Sequence, residues 1–126
     1  MNLLNAVSDY LETNVQLNAR IVGPLLERGS SVAIRLTPSS ENVRYIEGFN
    51  YNVGFQILVQ DSSNVKAMLV MEDIFRALHG INKEHLASDG SFTLIDLRCT
   101  TRPNFVEKDS SGVFVYTALF QAEIEY

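Results

Sequence analysis

The chain has 126 residues but only one cysteine, two histidines and three prolines. The lone Cys99 excludes an internal disulfide framework and places maturation in a reducing compartment. His79 and His85 stand six apart across Gly80, off the spacing of a helical metal pair, and no local cysteine or acidic cluster completes a site. No metal and no other cofactor is expected. Basic residues are also scarce: ten Lys and Arg are scattered singly among fifteen Asp and Glu, giving a net charge of −5. Duplex nucleic acid is held mainly by clustered cations that neutralise phosphates, so the charge argues against a nucleic-acid grip. Long apolar runs are missing as well. Leu3, Leu4, Val7 and Leu11 are interrupted by polar residues and follow no basic lead, so neither a signal peptide nor a spanning helix is expected and the chain reads as cytoplasmic. The seven glycines form no phosphate-cradling motif, and no internal repeat or low-complexity tract occurs.

What remains is ordinary for a globular fold: 46% apolar and 20% charged residues, and a length that fits one domain, residues 1–126. Asn2 to about Thr13 places Leu3, Val7 and Leu11 at i, i+4 and i+8, an amphipathic helix. Val15, Leu17, Ala19 and Ile21 alternate as a strand would, yet a helical continuation fits equally well, and Gly23-Pro24 ends either one. Val32 to Thr37 is a secure strand. Phe49 to Val59 is another: Phe49, Tyr51, Val53, Phe55, Ile57 and Val59 are apolar, while Asn50, Asn52, Gly54 and Gln56 between them are not. Gly54 in mid-strand marks a bulge or a close backbone approach. A helix follows from near Ser63, with Asp61, Ser62 and Ser63 as candidate N-caps. Val65, Met68, Leu69, Glu72, Phe75 and Leu78, with Ile74, follow helical spacing, and Gly80 closes the helix before a connector, Ile81 to Ser91.

The last third permits a register argument. Phe92 to Val106 and Val113 to Tyr126 are extended runs joined by Glu107 to Gly112. With Val106 facing Val113, Phe105 meets Phe114, Pro103 meets Tyr116, Thr101 meets Ala118, Cys99 meets Phe120, Leu97 meets Ala122 and Ile95 meets Ile124. That makes one face apolar on both strands, and a slip of one residue would turn polar side chains inward. On the other face Arg98 lies diagonal to Glu123 as its ionic partner. Pro103 cannot donate to a ladder, so it belongs at a bulge or where pairing fails. The fold class is therefore α+β, an antiparallel four-stranded sheet with helices packed on one face, in the order helix, strand, strand, helix, strand, strand.

No constellation points to catalysis. Cys99 falls on the expected core face and reads as a buried, inert thiol. Glu72 and Asp73 are adjacent, so on a helix they diverge by about 100° and cannot work as a paired acid and base. Contact with other chains is the better reading for two regions. Pro38 to Gly48 is long for a connection between neighbouring antiparallel strands, and Arg102 to Gly112 carries apolar bulk toward a hairpin tip. The candidate contact residues are Glu41, Arg44 and Tyr45 in the first, and Arg102, Asn104, Phe105 and Lys108 in the second. The apolar run Ile21 to Leu26 either packs internally or joins an interface.

Taken in order, the strand Ser31 to Pro38, Tyr45 before Gly48, the strand Tyr51 to Val59 and the helix Val65 to Leu78 ending Ile74-Phe75-Arg76-Ala77-Leu78 carry a likeness to a known family. From Ala19 to the carboxyl end the chain resembles the tail terminator and minor capsid (head-tail joining) proteins of long-tailed bacteriophages. The resemblance implies a non-enzymatic virion protein, made in the host cytoplasm and located at the head-tail junction. It implies a homo-hexameric ring on the head-proximal end of the tail tube that stops tube polymerisation and offers a surface to the head. The implied partners are further copies of itself, the tail tube protein and the head connector protein. DNA would pass through the lumen without specific binding, which an acidic wall suits, and no membrane is involved. Repulsion between copies of charge −5 leads us to expect a weakly associating or monomeric chain when free and a ring on the tube. The alternatives are another connector, such as a head-completion protein, or a small ligand-binding domain using the cavity between sheet and helix.

Overall fold

The computed structural model describes residues 2–23, 25–26, 29–37, 50–79 and 93–125. Its elements are helix α1 (Asn2–Asn14), strands β1 (Ile21–Val22), β2 (Ser31–Leu36) and β3 (Asn50–Asp61), helix α2 (Asn64–Leu78), and strands β4 (Thr93–Lys108) and β5 (Phe114–Glu125). The Pro38 to Gly48 loop and the Ile81 to Ser91 connector lie outside the described residues, as does Gly80.

The architecture is α+β, but the sheet is mixed and has five strands in the order β1-β2-β3-β5-β4. The expectation of four antiparallel strands is corrected by β1, whose Ile21 and Val22 run parallel to β2 opposite Val32 and Ala33. Two residues are too few for alternation to reveal a strand, and parallel pairing is unsuspected where all other neighbours are antiparallel.

Alternation along the strands sorts the residues into two faces. Val32 and Ile34, Phe55, Ile57 and Val59, and Ala118, Phe120, Ala122 and Ile124 point to the helix side and are buried there. Leu3, Val7 and Leu11 of α1 and Ala67, Met71, Ile74 and Leu78 of α2 close over them. At the centre, the Phe55 and Phe120 rings stack with centroids 5.4 Å apart. Among the described residues, these side chains form one continuous buried cluster between sheet and helices. The opposite face carries a smaller apolar cluster, Ala33, Leu58 and Val115, covered by Val22 and Leu26. The Ile21 to Leu26 run is thereby largely accounted for by packing, although Leu25 is exposed.

Gly54 is explained by close approach. Thr37 N–H donates to Gly54 O at 2.9 Å, and a Cβ on residue 54 would stand 2.5 Å from Thr37 Oγ1. α2 starts at Ser63, whose hydroxyl accepts from Lys66 N–H at 3.3 Å, and Asp61 in turn accepts from Ser63 N–H at 2.9 Å.

The β4–β5 register holds where the chain is most regular: Asp96 faces Glu123, Leu97 faces Ala122, Arg98 faces Gln121 and Cys99 faces Phe120. Outside that stretch β4 carries extra residues. Irregularities between Leu94 and Asp96, Cys99 and Thr101, Thr101 and Asn104, and Phe105 and Glu107 shift the pairing. Phe105 consequently meets Tyr116 instead of Phe114, and Thr101 meets Leu119 instead of Ala118. The irregularity after Thr101 brackets Pro103, which has no N–H for the ladder. The one before Asp96 exposes Ile95 and buries Leu94 in its place.

Candidate assembly interface

Of the contact residues expected from the sequence, Arg102, Asn104, Phe105 and Lys108 are described, whereas Glu41, Arg44 and Tyr45 fall outside the described residues. Three of the four line the helix side of the outer half of β4. The Arg102 guanidinium lies over the Phe75 ring of α2 at 5.7 Å, Phe105 sets its ring against the edge of Tyr116 at 5.6 Å, and Lys108 Nζ sits 5.2 Å above the Phe114 ring. Asn104 is different: its side-chain amide donates to Arg102 O at 2.8 Å and Thr117 O at 3.4 Å, which closes the irregular stretch of the hairpin. Tyr116 O–H donates to Asn64 Oδ1 at 2.7 Å, so the first turn of α2 is tied to the same stretch of hairpin.

That tie leads to three apolar residues of the expected helical spacing that face outward. Val65, Met68 and Leu69 do not enter the core; Val65 is 59% and Leu69 53% exposed. The helix turns Ala67, Val70, Met71, Ile74 and Leu78 inward. The helix therefore carries two apolar stripes, and the chosen spacing mixed members of both. A usable signal was present: Val65 to Leu78 holds more large apolar positions than one helix face accommodates. Val65, Met68 and Leu69 at i, i+3 and i+4 form one outward patch, and Phe105, 51% exposed, continues it across Tyr116 onto β4.

A second apolar surface lies at the other side of the sheet. Leu4, Ile21, Ile34 and Leu36 line a groove between α1 and the β1–β2 pair, with Asn5 and Ser8 on its rim. Leu36 is half exposed there. Its neighbouring helix α1 bears Asp9 and Glu12 on its outside and no Lys or Arg. Arg35, which also borders the groove, turns its Nε to Gln56 Oε1 at 2.8 Å on the opposite face.

Residues 26–126 match the family model for the bacteriophage tail terminator protein. The chain belongs to that family. It is thus a structural protein of the phage virion, located in its tail. A chain in a structure of the virion of a native gene transfer agent particle shares the fold, with a TM-score of 0.74 over 99% of this chain and 96% of that one at 20% identity. Among curated proteins none matches.

The residues of this tail terminator with reactive side chains serve its framework. Cys99 is half-buried, less than the fully buried position expected from its register. Burial pushes its thiol above the ordinary range, outweighing the Thr101 backbone and the charge of Arg102, which act the other way. His79 ends α2: its N–H donates to Phe75 O at 2.9 Å, its ring stacks on Phe75, and its Nδ1 accepts from Cys99 N–H at 3.0 Å. His85 falls outside the described residues. On the face away from the helices, Arg98 pairs with Asp96 at 2.6 Å on its own strand, not with diagonal Glu123 as the register implied. The bond and charge of Asp96, with a smaller contribution from Glu123, hold the guanidinium protonated more firmly than usual. Among the described residues no cluster of His, Cys, Asp and Glu could hold a metal, and no helix is long and apolar enough to cross a membrane.

Proposed function

We propose that this tail terminator caps the head-proximal end of the tail tube as a ring of identical copies, ends tube polymerisation and presents a surface to the head connector. The observation that supports this reading is the second apolar stripe of α2. A helix needs one stripe to fold onto its sheet, and Val65, Met68 and Leu69 stand outside that requirement. A firmly packed sheet gives such a stripe a fixed position, as a ring with repeating contacts demands. The role needs no chemistry, in keeping with a raised Cys99 thiol and a His79 imidazole that accepts from the Cys99 amide. DNA passes through the lumen without being held, consistent with a charge of −5 per copy. Electron microscopy of tails assembled with and without the protein tests the proposal. Tubes of uncontrolled length are expected in its absence, and tubes of unchanged length would sink it.

A further inference from the structure

We infer that neighbouring copies meet head to tail, with the α2–β4 patch of one copy (Val65, Met68, Leu69, Phe105) seated on the α1–β2 groove of the next (Leu4, Ile21, Leu36). The inference rests on the ring reading above and specifies which surfaces make the ring.

Three observations carry it. The two surfaces are separate: one occupies the outside of α2 and the edge strand β4, the other lies beside β1, the strand at the opposite edge of the sheet. Two unlike surfaces on one chain are what a closed ring requires, because a surface that meets its own symmetry mate stops at a dimer. The shapes also correspond, since the patch is a convex helix with projecting side chains and the other surface is a groove. Finally, the charges are opposite. Arg102 and Lys108 flank Phe105 and, among the described residues, neither has a carboxylate partner; the only ion pair there is Arg98 with Asp96. Asp9 and Glu12 on α1 likewise form no ion pair among the described residues, where Arg20 stands beside Glu12 and Arg35 is bonded to Gln56. Docking the patch on the groove brings two cations toward two carboxylates, an arrangement that fixes orientation and offsets part of the repulsion between acidic copies.

The test uses the intact chain in assembled particles. Cys99→Ser removes the single native thiol, after which Met68→Cys and Leu36→Cys are introduced singly and together, and tails are treated with a bis-maleimide. Covalent species larger than a dimer are expected from the double variant alone, with each single variant remaining a monomer. A dimer from Met68→Cys by itself, a cross-link from Met68→Cys to another tail or head protein, or monomers throughout in particles that retain the chain would each overturn the assignment. An independent arm exchanges the charges. Arg102→Glu with Lys108→Glu, and Asp9→Lys with Glu12→Lys, are each expected to lower incorporation into tails at least tenfold while circular dichroism stays unchanged. The fourfold variant is expected to recover it, and failure to recover would also overturn the pairing. The two readings separate in the same preparations. Tails of controlled length without the covalent ladder sink only this interface, while a ladder on tails whose length is indifferent to the protein sinks only the capping role.

Discussion

Gly54 shows how a single missing side chain decides a contact between strands. Thr37 Oγ1 occupies the place of its Cβ, so Gly54→Ala is expected to cost about 1 kcal/mol by crowding, measured by chemical denaturation. In a Thr37→Ala background the same change becomes neutral, which distinguishes crowding from a loss of backbone freedom. Asp61 is the other residue with an outsized role. Burial alone would raise its carboxyl, but bonds from Asn18, Ser63 N–H and Ser30, with the charge of Lys66, bring it below the ordinary value of 3.8. Folded-state depression means the carboxylate stabilises the fold above its unfolded pKa, and this contribution is lost as pH falls through the lower folded value. Asp61→Asn is therefore expected to lower stability at pH 7 and to flatten the loss between pH 5 and pH 2. A variant with the full acid sensitivity of the parent would refute that account.

At the scale of elements, α2 carries one stripe that the core needs and one that it does not, and on the proposed function the second serves assembly. Met71→Ala is expected to destabilise by about 2 to 5 kcal/mol, because a fully buried side chain leaves a cavity. Leu69→Ser on the outer stripe should change stability by no more than about 0.5 kcal/mol while sharply reducing incorporation into tails, as thermal melts and particle composition would show. The turn that joins β4 to β5 has its own determinant. Gly112 sits at φ +87°, and the Asp109 carboxylate accepts from Ser111 and from Val113 N–H around it, so Gly112→Ala is expected to cost about 1 kcal/mol through left-handed strain alone. These elements also mark what a sequence discloses. The β3 alternation was readable because one face is buried and the other polar, and the Asp96 to Cys99 register because both strands are regular there. The extra residues of β4 leave no periodic trace, so reading outward from the loop misplaced Phe105 by two positions. Arg102, Phe105 and Lys108 drew attention because they carry bulk toward a hairpin tip, and each packs on an aromatic ring of the same chain: Phe75, Tyr116 and Phe114. The outward stripe of α2 was illegible, because two overlapping stripes defeat the assumption of a single buried face.

For the molecule as a whole, the proposed assembly draws on surfaces that folding leaves free. The helix side of the sheet is consumed by α1 and α2, and the surfaces left over are apolar in two places and acidic on balance. The free chain is expected to sediment as a monomer or a weakly associating species, since each copy carries a charge of −5 and gains local complementarity only when held in register on a tube. A tight dimer at micromolar concentration would contradict this.

The broken pairing of β4 has a consequence for the time before tails are finished. β4 is 16 residues long and forms a margin of the sheet, a length that in an unbroken strand would template another copy's margin, then another, without limit. Four irregularities, Pro103 and the His79 imidazole seated on the Cys99 amide interrupt that template, so no incoming strand finds more than a few aligned partners in succession. Free copies are therefore expected to resist edge-to-edge fibril growth, which a thioflavin assay of the concentrated chain would check.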